Sequence, residues 1–81
     1  MALLERLKDL AQKGEGEILI GPEDGQDLEA FQATVSFLRD YARNGWLTIL
    51  REHRESRGGN RYIDRVRVRL TDSGVEQWRS H

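Results

Sequence analysis

The sequence predicts an α+β domain of three helices and a small antiparallel sheet, the sheet made of one β-hairpin and one short strand. Three observations carry that prediction. Between Gly45 and Leu70, Val66, Val68 and Leu70 alternate with Arg65, Arg67 and Arg69, the period-two pattern of a strand with one apolar and one polar face. Ala2–Lys13 and Leu28–Asn44 instead repeat their apolar residues at helical spacing. Glu17–Gly21 (EILIG) is too short for a helix and sets Ile18 and Ile20 on one face.

In chain order, the first helix spans Ala2–Lys13, with Leu3, Leu4, Leu7, Leu10 and Ala11 on its apolar side and Glu5, Arg6, Lys8, Asp9 and Gln12 on the other. Gly14 and Gly16 end it, because glycine takes the left-handed conformation of a helix C-terminus without steric cost. The leucine stripe is expected to pack onto the sheet; a dimer seam is the alternative. After the EILIG strand, GPEDGQD is a turn-forming stretch in which Asp27 is placed to cap the next helix. Its acids Glu23, Asp24 and Asp27 lack the alternate spacing and closing glutamate of a calcium loop. The helix Leu28–Asn44 buries Leu28, Phe31, Val35, Leu38 and Ala42, widened by Phe37 and Tyr41, and presents Glu29, Gln32, Ser36, Arg39 and Arg43 as a polar band. Gly45 stops it.

Trp46–Ser56 and Arg61–Leu70 then flank Arg57-Gly58-Gly59-Asn60, a segment able to supply the positive φ angles of a tight turn. The register stays open at this point. A two-residue Gly-Gly turn sets Ile49 opposite Val68 and Leu47 opposite Leu70. A loop one residue longer or shorter puts Trp46, Thr48 and Leu50 on the face of Val66, Val68 and Leu70 instead. Thr71 is placed to cap a last helix, whose Val75 and Trp78 fold back onto the sheet.

The chain of 81 residues has room for one domain, 1–81, and a single small core. It contains no cysteine, which excludes disulfides, thiolate zinc sites and thiol catalysis. No apolar run reaches the roughly 18 to 20 residues of a membrane span, and MALLERLKDL lacks a signal-peptide layout, so a cytoplasmic protein without membrane contact is expected. The net charge of −1 conceals an asymmetry: residues 1–40 hold four Lys/Arg against nine Asp/Glu, and residues 41–81 hold nine against five. Seven of those nine are arginines between Arg51 and Arg69. Guanidinium groups suit phosphate, and the local field, not the total charge, steers a polyanion. Neutralisation by Glu52, Glu55 and Asp64 across the hairpin is the competing expectation. His53 has His81 as its only histidine companion and is expected to be solvated or paired within the sheet. The sequence offers no nucleophile–base pair, phosphate-cradling glycine motif or metal cluster, so neither an enzyme nor a cofactor is expected.

Two stretches resemble a known family. Phe37-Leu38-Arg39-Asp40-Tyr41-Ala42-Arg43-Asn44-Gly45-Trp46-Leu47 is similar to the end of a recognition helix running into a wing strand. Leu70-Thr71-Asp72-Ser73-Gly74 is similar to the leucine–threonine–x–x–glycine step closing many bacterial winged-helix regulators. The chain thus resembles a small bacterial winged helix-turn-helix domain over nearly its whole length. One departure is plain: only Pro22–Asp27 stands where the family has its second helix. The resemblance implies a winged-helix-like fold and binding of double-stranded DNA in transcription regulation. It implies contacts from Gln32, Ser36, Arg39 and Arg43 on the helix and from Arg54, Arg57 and Arg61 on the wing. Arg65 and Arg67 extend the set along the second strand, and a homodimer is a further implication. The alternative is a winged-helix module that binds a protein partner and no DNA, since one fold serves many functions.

Overall fold

The computed structural model describes residues 2–23 and 25–79, so Asp24 and His81 of the sequence reading lie outside the described residues. The element order is α1 (Ala2–Lys13), β1 (Glu17–Ile20), α2 (Leu28–Arg43), β2 (Leu47–Arg57), β3 (Asn60–Leu70) and α3 (Asp72–Arg79). The three strands form one antiparallel sheet in the order β1-β3-β2. This is the predicted α+β architecture of three helices and a small sheet with a projecting hairpin.

The helices lie on one face of the sheet. Leu3, Leu7 and Ala11 of α1, Phe31, Val35 and Leu38 of α2, and Trp78 of α3 share a core with Ile20, Leu47, Ile63, Val66 and Val68 of the strands. The α1 stripe therefore packs into the domain's own core, with α3 as its closest helical neighbour. Leu4 lies at the edge of that stripe and is exposed. Gly14, at φ +78, ends α1 and donates its N–H to the carbonyls of Leu10 and Ala11. Asp27 caps α2 by accepting the Ala30 N–H at 2.7 Å. Pro22–Asp27 forms no helix among its described residues; Gln26 N–H closes a turn onto the Glu23 carbonyl.

Phe37 departs from expectation, being 47% exposed. At 3.6 residues per turn it falls with Ala33 on the side of α2 opposite the Leu28–Val35–Ala42 line, beyond the reach of the sheet. The polar band is rotated correspondingly toward the hairpin, which decides what its side chains touch.

Gly58 and Gly59, at φ +57 and +83, make the two-residue turn, and Arg57 pairs with Asn60. Leu47 faces Leu70 and Ile49 faces Val68, as the Gly-Gly register requires. Between turn and base, however, the ladder slips twice, with Leu50 extra on β2 and Asp64 extra on β3. The two bulges compensate, so the register is the same at both ends and different in the middle.

At the base, Tyr41, Trp46 and Trp78 contact one another with ring centroids 5.3 to 5.8 Å apart. Beside them Thr71 ties three elements together. Its hydroxyl donates to the Gly45 carbonyl and accepts from Gly74 N–H, and its own N–H donates to the Trp46 carbonyl. That carbonyl sits where a side chain on residue 74 would be, which is the physical reason for glycine there.

Candidate nucleic-acid interface

The sheet face away from the helices is open. Arg65, Arg67 and Arg69 of β3, Arg51 and His53 of β2, and Leu19 and Glu17 of β1 are all exposed. The Leu50 bulge builds this face. In the unbroken Gly-Gly register Arg51 would oppose Val66 on the helix side, and Glu52 would stand among the arginines outside. The extra residue exchanges them: Arg51 faces Arg67, His53 faces Arg65, and Glu52 opposes Val66 on the helix side. Glu52 is thus removed from the arginine face, and two guanidinium-bearing residues are set directly across from each other.

A shallow concavity of about 220 Å³ lies here, lined by Leu19, Arg51, His53, Arg65 and Arg67. Among the described residues two acids pair with groups of this face, and Glu15 lines a shallow depression with Arg69 and Thr48. Glu17 approaches Arg67 at 3.5 Å, while Asp64 accepts or shares the His53 Nδ1 proton at 2.6 Å and lies 4.0 Å from Arg65. Burial pushes the Asp64 carboxyl up, but the hydrogen bond and charge of His53, its own backbone and Arg65 together hold it below the usual carboxylate value. Arg51, Arg61 and Arg69 have no acidic partner within ion-pair distance among the described residues.

The helix candidates are disposed differently. Gln32 is turned into the fold: its Nε2 donates to the carbonyls of Leu28 (2.7 Å) and Ile63 (2.8 Å), and its Oε1 accepts Ile63 N–H (3.2 Å). Its amide is spent on holding β3 against α2. Arg39 donates from Nε and Nη2 to the two carboxylate oxygens of Glu52, both at 3.1 Å, and this hydrogen bond raises its pKa despite partial desolvation. Ser36 is exposed, and Arg43 extends into solvent with Asp40 at 3.0 Å. On the wing, Arg54 lies 3.8 Å from Glu52 and Arg57 lies 3.7 Å from Glu55.

Gln32 and Arg39 therefore lie on the helix side of the sheet, and Arg65 and Arg67 lie on the other. The structure does not bring the two sets onto one face. Glu52, Glu55 and Asp64 do engage arginines, but chiefly Arg39, Arg54, Arg57 and Arg65, leaving Arg51 and Arg69 uncovered. Arg51, Arg69 and Leu19 stand on this face but outside the site set read from the sequence, and only the bulge puts Arg51 there. Among the described residues no cluster of three histidine or acidic side chains is arranged to hold a metal ion.

Known protein-family models, curated proteins and solved structures all give no match to this chain.

Proposed function

We propose that this chain is a small DNA-binding protein of the winged-helix kind, suited to transcription regulation, in which the arginine hairpin makes the main contact and α2 plays a supporting role. The element order, the β1-β3-β2 sheet and the Thr71–Gly74 step support the winged-helix reading. The observation that carries DNA binding is the open sheet face on which, among the described residues, Arg51, Arg65, Arg67 and Arg69 stand against Glu17 and Asp64, with Glu15 near Arg69. Phosphates would seat on these guanidinium groups, and each neutralised phosphate releases counterions, so affinity falls steeply as salt rises.

The test is fluorescence anisotropy of a labelled mixed-sequence DNA, in duplex and single-stranded form, between about 50 and 200 mM salt. Salt-sensitive binding that weakens when Arg51, Arg67 and Arg69 become alanine supports the proposal. Absence of association with both forms at the lowest salt sinks it.

A protein-interaction module is the second reading, favoured by one observation: Phe37, with the exposed Ala30 and Ala33, gives α2 an apolar outward side. Sedimentation of the wild type and of Phe37→Ser, alone and over a concentration series, checks for self-association through that side.

A further inference from the structure

We infer that the nucleic acid taken by the open sheet face is single-stranded DNA, laid along β3 with phosphates between Arg51, Arg65 and Arg67 and a base against Leu19. The inference rests on the DNA-binding reading and names the form of the ligand.

Four features point to it. First, Arg51 and Arg67 are directly opposed across two strands, with Arg65 and His53 as the next opposed pair. The two guanidinium groups of Arg51 and Arg67 repel, and the single carboxylate of Glu17, 3.5 Å from Arg67, offsets only part of that repulsion. Arg51 lacks any acidic partner among the described residues, which leaves its charge to be met from outside. Second, residues two apart on β3 repeat every 6.6 to 6.8 Å or so, a step that an extended sugar-phosphate chain can follow.

Third, Leu19 is 41% exposed in the wall of the same concavity, facing Arg67 from β1. A duplex keeps its base faces stacked inside and presents only phosphate and groove edges. Unless it enters a groove, an apolar side chain set among arginines meets only sugar and phosphate there, whereas an unpaired strand offers base faces to cover it. Fourth, two of the four α2 side chains that would read a major groove are occupied, Gln32 by the Ile63 backbone and Arg39 by Glu52. The choice of DNA over RNA is taken from the DNA-binding reading above, and RNA is an outcome of the test.

The experiment uses the full chain and three labelled probes: oligothymidylate of about 12 nucleotides, a duplex of equal length, and oligouridylate. The expected result is single-stranded DNA bound roughly tenfold or more tightly than duplex, and at least as tightly as RNA. Arg51→Thr with Arg67→Thr lowers that affinity by about tenfold, while Arg54→Ala with Arg57→Ala at the tip changes it less than about threefold. Because Arg51→Thr relieves the opposed pair, its urea midpoint equals or exceeds that of the wild type. Duplex bound as tightly as single strand, or RNA bound tighter than DNA, overturns this inference and leaves DNA binding standing. No binding to any probe removes both. A lowered midpoint for Arg51→Thr removes the premise that the opposed arginines are held for a ligand.

Discussion

Replacing Gly74 by alanine tests the joint at the base of the hairpin. A Cβ on residue 74 would fall 1.7 Å from the Trp46 carbonyl oxygen, 2.7 Å from its carbon and 3.2 Å from its Cα. All three are backbone atoms, so no rotamer change relieves the contact, and the first turn of α3 has to retreat by roughly 1.5 Å or more. That retreat pulls Thr71 from the Trp46 and Gly45 carbonyls, to which it donates from its N–H and its hydroxyl. Each bond contributes about 1 kcal/mol net. Overpacking adds a cost of about 1–3 kcal/mol. Alanine recovers about 1 kcal/mol of helix propensity over glycine. The sum is a destabilisation of about 2–4 kcal/mol. Urea unfolding followed by tryptophan fluorescence reads it directly, since Trp46 and Trp78 meet at this joint. With an m-value of about 1–1.5 kcal/mol/M for a chain this small, the midpoint falls by roughly 2 M. The neighbouring Ser73→Ala, exposed and outside this contact, changes stability by less than about 0.5 kcal/mol. A Gly74→Ala midpoint equal to the wild type would refute the reasoning, because it would mean that the Trp46 carbonyl does not lie against residue 74.

Gln32→Leu deprives the Ile63 N–H and carbonyl of their partner and is expected to cost about 1–3 kcal/mol in the same urea assay; an unchanged midpoint would show that the amide clamp does not hold β3. Glu52→Gln frees Arg39 and Arg54, so DNA affinity rises at low salt and the logarithmic salt slope steepens by up to about 0.9 per additional phosphate contact; an unaltered slope counts against a contribution from that side of the hairpin. Gly58→Val forces a β-branched residue to positive φ at the turn and costs about 1–2 kcal/mol, whereas Gly58→Asn is better tolerated; equal midpoints would argue against the observed turn. Asp64 titrates below its unfolded value, so its contribution is present above about pH 4 and is lost as pH falls through the lowered folded value. Asp64→Asn therefore flattens the acid limb of the stability curve, and an identical acid limb in the variant would contradict the His53–Asp64 pairing.

The helices and strands were legible because their signals are local. Asp27, Gly45, the Gly58-Gly59 pair and Thr71 mark ends and turns by what their own backbone and side chains can do. The same local logic gave the alternation of Val66, Val68 and Leu70 with three arginines, and β3 keeps that alternation in the folded sheet. Phe37 was grouped with the buried stripe on its apolar character, although helical periodicity already sets it about half a turn away from Leu28. Two of the four helix candidates, Gln32 and Arg39, are engaged within the fold. Gln32 and Arg39 are polar, and polarity alone does not distinguish a side chain facing solvent from one reaching a strand more than ten residues away.

By itself, then, the sequence determined an α+β domain with an arginine-rich hairpin, because periodicity, capping and turn chemistry act within a few residues. Only the tertiary structure decided which charges stand together. One extra residue at Leu50 and another at Asp64 change the facing of the strand between them, sending Glu52 to Arg39 and Arg51 to Arg67. A bulge forms where strand pairing, core packing and twist are satisfied together, a balance among distant residues that no local pattern records.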